Sequence, residues 1–160
     1  MHNLLDTPWE TATQPIIVVV EDSDEDFYTF MRVLSKLMAE MPLPYKFLRF
    51  QDGDEVLDYL LRQGEYATLM PAVPAAMLLD LNIPGTDGRD VIQAVKQHPD
   101  LQMLPIVVLT SSSSPQDIQT CYRYGVNSYI LKPMGVSEMQ QTVRTLLQYW
   151  FHFSALPSHV

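Results

Sequence analysis

A chain of 160 residues with 47% apolar side chains can bury one substantial core, whereas two domains would each be too small to bury much. Its net charge of −9 repels a nucleic-acid backbone, and the single cysteine, Cys121, excludes an intrachain disulfide and suits a reducing compartment. Met1 to Gln14 carries Asp6 and Glu10 where a targeting segment would be basic and then apolar, and no apolar run is long enough to span a bilayer, so a soluble cytoplasmic protein is expected.

The elements follow in chain order. Ile16–Val20 is a β-branched run without polar alternation, the mark of a strand buried on both faces. Ser23 to Asp26 is a polar helix start, and Phe27, Phe30, Met31, Leu34, Leu37, Met38 and Met41 continue it at helical spacing until Pro42 and Pro44 stop it. Tyr45–Phe50 alternates as a second strand, and Asp52-Gly53 turns into a helix through Val56, Leu57, Leu60 and Leu61 that Gly64 closes. A loop containing Pro71 and Pro74 precedes a third strand at Met77–Leu81. The rest alternates regularly: a helix over Asp87 to Gln97, a strand at Ile106–Leu109, a helix over Pro115–Tyr124, a strand at Ser128–Leu131, and a last helix from Val136 to about Phe151. Five strand–helix alternations predict an α/β fold, a doubly wound parallel sheet with helices on both faces and its site beyond the carboxyl ends of the strands. The expected organisation is an N-terminal arm over 1–14, one domain over 15–153 and a tail over 154–160.

What stands just past each strand is informative. Glu21 and Asp22 follow the first, Asp80 ends the third, Thr110 the fourth and Lys132 the fifth. Carboxylates gathered at one edge repel unless a cation neutralises them, and oxygen donors of this kind suit Mg²⁺, or Mn²⁺ in its place, better than zinc. A carboxylate can also attack phosphorus to form an acyl phosphate, with catalysis resting on positioning and cationic stabilisation. Asp80 alone among the three acids sits in a buried strand end, which makes it the candidate nucleophile. Glu21, Asp22 and the backbone carbonyl of Asn82 are then candidate metal ligands alongside it, with Lys132 and the Thr110 hydroxyl facing the transferred group.

The segments Val20-Glu21-Asp22-Ser23, Leu79-Asp80-Leu81-Asn82-Ile83-Pro84-Gly85-Thr86-Asp87-Gly88, Leu109-Thr110-Ser111 and Leu131-Lys132-Pro133 together resemble the four signature segments of response-regulator receivers. The resemblance implies a five-stranded, flavodoxin-like sheet of order 2-1-3-4-5. It implies Asp80 as phosphoacceptor for a histidine kinase, Glu21 and Asp22 as the acidic pair, Thr110 and Lys132 as switch hydroxyl and lysine, and Tyr129 as switch aromatic. It further implies a cis Lys132–Pro133 bond, and a pair of positions, Asn82 and Ser112, that flank the water route and tune phosphoryl lifetime. The first acid is Glu where the family more often has Asp, which should keep the metal site.

Receivers signal through their surface, here expected to hold Tyr122, Tyr124, Tyr129 and the last helix. The aromatic stretch Tyr149-Trp150-Phe151-His152-Phe153 extends that helix, and as an exposed patch it predicts a symmetric dimer, unless it folds back on its own domain. With Gly64-Glu65-Tyr66 and the Pro-containing insertion, this tail resembles the small dimeric regulators that pair with bacterial and cyanobacterial phytochrome histidine kinases. Other readings stay open: a degenerate receiver serving only as a phosphorylation-independent interaction module, a phosphatase of the haloacid-dehalogenase kind, or a flavin module. The phosphatase chemistry wants a second carboxylate where Asn82 stands, and a flavin site wants a Ser/Thr-rich phosphate loop where Glu21-Asp22 stands.

Overall fold

The structure, a computed structural model, describes residues 14–68 and 73–157. Residues 1–13 of the expected N-terminal arm, residues 69–72 with Pro71, and the last three residues lie outside the described residues. Five strands form one parallel sheet of order β2-β1-β3-β4-β5: β1 (Ile16–Val20), β2 (Lys46–Phe50), β3 (Ala76–Leu79), β4 (Ile106–Thr110) and β5 (Ser128–Leu131). The connecting helices are α1 (Asp24–Glu40), α2 (Gly53–Leu61), α3 (Gly88–Gln97), α4 (Pro115–Tyr124) and α5 (Val136–Gln148). The expected sheet order and helix succession are both present.

The strands' composition explains their places. The β3 and β4 strands are buried throughout, and β1 after its first residue, as all-apolar runs in a doubly wound sheet must be. The edge strands β2 and β5 are only partly covered. On one face Ile17, Val19, Leu78 and Val107 meet α1 and α5 through Phe27, Phe30, Leu34, Val143 and Leu147. On the other, Val18, Val20, Met77, Leu79 and Val108 meet α2, α3 and α4 through Val56, Tyr59, Val91, Ile92 and Cys121.

Sheet register brings the strand ends level. Val20 lies beside both Phe50 and Leu79, and Thr110 beside Leu131. The hydrogen-bond ladder runs one residue further: Glu21 N–H donates to Phe50 O at 2.9 Å, Asp80 N–H to Val20 O at 3.0 Å and Lys132 N–H to Thr110 O at 2.8 Å. Glu21, Asp80 and Lys132 are therefore fixed by sheet backbone although each stands outside its strand.

Two helix ends depart from the sequence expectation. Arg62, in the left-handed region at φ 57°, closes α2, and Gly64 instead opens a short 3₁₀ turn, Gly64–Tyr66. After Gln148 the last helix widens into a π turn over Tyr149–Phe153, where Ser154 N–H reaches Tyr149 O at 2.8 Å. The peptide bonds of the described residues are all trans, so the Lys132–Pro133 bond is not cis as the family resemblance implied; trans is the lower-energy isomer even before proline.

The π turn also corrects the reading of Phe151 as an interface residue. Its ring is buried at 3% exposure, in edge-on contact with Phe47 and tilted against Tyr45, at 5.7 and 5.6 Å between centroids. Burying a Phe against the uncovered side of β2 gains more than leaving it in water. Trp150 is partly buried on the same cluster, while Tyr149 and Phe153 stay exposed at 58% and 72%. Phe151→Ala should lower unfolding free energy by about 3 kcal/mol or more, and Tyr149→Ala by less than about 0.5 kcal/mol; chemical denaturation of both variants checks the contrast.

Candidate functional site

The site is built around one ammonium group. Lys132 Nζ donates to Glu21 Oε2 at 2.6 Å, Asp26 Oδ2 at 2.7 Å and Asp80 Oδ2 at 2.8 Å. A lysine has three N–H donors, so all are used. Glu21 and Asp80 are buried among β1, β3 and the start of α1, at 7% and 8% exposure. Asp80 Oδ1 accepts from the backbone N–H of Asn82 at 3.2 Å, and Glu21 Oε1 from that of Ser23 at 3.0 Å. Burial pushes the Glu21 carboxyl up, against the opposing pull of Lys132. Burial would also lower the Lys132 ammonium, but its bonds to Asp26, Asp80 and Glu21 outweigh that and hold it charged.

Glu21, Asp22 and Asp80 each bring a carboxylate oxygen within 4.8 Å of the others, with Asp22 exposed at the rim. Three carboxylates this close, with one side open, fit a hard divalent cation of the Mg²⁺ or Mn²⁺ type. Asp26 does not belong to that trio but holds the lysine from the other side. Sequence inspection missed it. The available signal was its place three residues past the capping Ser23, in the first turn of α1, where Ser23 Oγ accepts from the Asp26 N–H at 3.2 Å.

Thr110 is fully buried at the end of β4, and its Oγ1 accepts from Ser112 N–H at 3.4 Å. The Tyr129 ring is half-buried, and its hydroxyl donates to Ser112 O at 2.8 Å. Tyr122 is exposed on α4, away from these contacts. The loop after Asp80 is pinned to α2: Gly53 N–H donates to Pro84 O at 2.9 Å, and the Thr86 hydroxyl and N–H both reach Asp54 Oδ1. A Cβ on Gly53 would fall 1.9 Å from Thr86 O, so only glycine permits this approach.

The family model described as the response regulator receiver domain matches residues 17–144. The chain belongs to this family. Among curated relatives, response regulator Rcp1 of Synechocystis sp. is 32% identical, over 93% of this chain and 97% of its own. A probable methanogenesis regulatory protein, FilR2 of Methanothrix harundinacea, is 34% identical over 89% of this chain and 87% of its own. The crystal structure of Mn²⁺-bound Rcp1 superposes with a TM-score of 0.83 at 33% identity, covering 90% of this chain and 99% of that one. The phosphorylated cyanobacterial phytochrome response regulator RcpA gives a TM-score of 0.81 at 34% identity, covering 91% and 100%.

In this receiver a second polar cluster, legible only in the structure, borders the site. Arg89 at the start of α3 grips Asp117 of α4 with Nε–Oδ1 at 2.8 Å and Nη2–Oδ2 at 2.7 Å, and Ser112 Oγ donates to Asp117 Oδ2 at 2.6 Å. The Arg89 guanidinium and the Ser112 hydroxyl hold the Asp117 carboxyl down at about 2, from an ordinary 3.8. A carboxyl depressed by folding stabilises fully above its unfolded pKa and loses that contribution as pH falls through the folded value. Between about pH 4 and pH 2, Asp117→Asn should therefore show a shallower loss of stability than the parent protein, measured as the urea midpoint against pH.

Proposed function

We propose that this receiver accepts a phosphoryl group from a histidine kinase onto Asp80, with Mg²⁺ as cofactor and Mn²⁺ able to replace it, and signals by a change of surface. The observation that carries the reading is the Lys132 ammonium seated on Asp80 Oδ2, beside the Glu21–Asp22–Asp80 trio at the carboxyl ends of the strands. An Asp80 carboxylate oxygen attacks phosphorus as the phosphorus–nitrogen bond to the donor imidazole breaks, and the bonding pair leaves on that nitrogen. Lys132 holds the carboxylate in place beforehand and then turns a proton to a phosphoryl oxygen. Thr110 supplies a hydroxyl to a second oxygen, and Tyr129 follows it. Glu21, Asp22, Asp80 and the carbonyl of Asn82 would hold the cation, which contributes positive charge opposite the incoming phosphate.

Hydrolysis of the acyl phosphate by water, tuned by Asn82 and Ser112, returns the protein to rest. The kinase is of the phytochrome type. This reading is supported by the likeness to RcpA, which is described as a phytochrome response regulator, and to Rcp1 along nearly its whole length. We place the protein in the cytosol, in keeping with its unpaired, buried Cys121. Among the described residues no helix is long and apolar enough to cross a membrane.

Wild-type protein should take label from acetyl phosphate or a phosphorylated kinase only with Mg²⁺ or Mn²⁺ present, and Asp80→Asn should take none. Labelling of Asp80→Asn at the wild-type level would sink the assignment. Autoradiography after denaturing gels reads it.

The receiver further pairs with a second copy through the exposed end of its last helix, where Tyr149 and Phe153 present apolar rings. Sedimentation at micromolar concentration should show a dimer that Tyr149→Ala combined with Phe153→Ala weakens by at least about tenfold in Kd, the scale of a small hot spot. A wild-type monomer throughout would remove the proposal.

A further inference from the structure

The loop between β4 and α4 carries Ser112, whose hydroxyl accepts from Ser114 N–H within the loop at 3.5 Å and whose other contacts tie it to β4, β5 and α4. Its N–H donates to the Thr110 hydroxyl, its carbonyl accepts from Tyr129, and its own hydroxyl donates to Asp117. Asp117 is not free to follow the loop. It is clamped by two parallel bonds from Arg89, the strongest and most directional ion-pair arrangement available to a carboxylate. Arg89 is anchored in turn by Asp87, whose two oxygens both receive its Nη1 at 2.9 Å, and Asp87 caps α3 at the end of the loop that begins with Asp80. A continuous path thus joins the loop after Asp80 to the β4–α4 loop that touches Thr110 and Tyr129, without passing through the Thr110 hydroxyl.

We propose that Arg89 and Asp117 are positioning residues that latch the β4–α4 loop, through the Ser112 hydroxyl, in its resting arrangement and so set how readily phosphorylation switches the receiver. The inference rests on the phosphoacceptor reading of Asp80 for its consequence, but the latch itself is a property of the resting protein. Moving the loop toward the phosphoryl group requires Ser112 to carry Tyr129 with it, and the Ser112–Asp117 bond resists that movement. Losing the bond favours the switched arrangement and speeds phosphorylation, since a ligand gains apparent affinity when its preferred state is more populated.

The test is a double-mutant cycle of Ser112→Ala and Asp117→Asn, with two readouts. In resting protein, ¹⁵N order parameters of Ser111 to Ser114 should fall in either single variant from about 0.85 toward about 0.6. With acetyl phosphate and Mg²⁺, each single variant should be phosphorylated about fivefold faster than the parent, and the double variant no faster than either single one. Non-additivity distinguishes an action through Ser112 from general damage to the fold. Unchanged order parameters, or rate effects that multiply in the double variant, overturn the latch. Absence of labelling in the parent protein would instead overturn the phosphoacceptor reading, and the order parameters alone would then decide whether the loop is latched.

Discussion

Three carboxylates on one ammonium group is the constraint that the rest of the molecule serves. Glu21 and Asp80 are buried acids, and burying a charge without a partner costs far more than a small domain can bear. Lys132 makes the arrangement possible, but only because the strands end level. A shift of one residue in β5 would turn the lysine to the other face of the sheet. The hydrogen-bond ladder that runs past Val20, Leu79 and Leu131 is therefore as much part of the site as the side chains are. Because every Lys132 proton already has an acceptor, a phosphoryl group arriving there would have to exchange partners with the lysine, and one carboxylate would give up its bond.

The same geometry links the site to the rest of the fold. Arg49 of β2 donates from Nε to Glu21 O at 3.0 Å, lies 4.3 Å from the Phe27 ring centroid, and pairs with Asp24 at 2.8 Å. It holds the start of α1, and with it Asp26, against the edge of the sheet. On the far side, the Asp54 carboxylate and Gly53 hold the loop after Asp80, so Asp80 stands between two braced segments.

Much of this was legible in the residues. Continuous apolar runs marked the central strands, with Glu21, Asp22, Asp80 and Thr110 at their ends and Lys132 at the end of the edge strand β5, so the gathering of these residues at one edge of the sheet needed only the rule that parallel strands present their carboxyl ends together. What escaped were contacts between elements distant in sequence. Asp26 reads as one more acid in an acidic helix start, and nothing local says that a lysine 106 positions away will find it. Arg89 and Asp117, 28 residues apart, look like two solvated charges until α3 and α4 pack side by side. Ser112 reads as one of four solvent-facing serines, yet all its polar groups are engaged. Phe151 looked like its exposed neighbours because the pattern of large aromatics does not record where a helix changes pitch.

That change of pitch has a wider meaning. An α-helix advances about 100° per residue, and a turn closed by a five-residue spacing holds one residue more than the regular helix would. The direction in which Phe153 points therefore depends on a single-residue count at the end of α5. Removing one residue there would swing everything beyond it by about a quarter of a circle while leaving the sheet untouched. The terminal π turn thus works as a bearing: it lets Phe151 stay in the core while Phe153 is aimed outward, so a change in the exposed surface at this end of the helix need not disturb the strand ends where Lys132 sits.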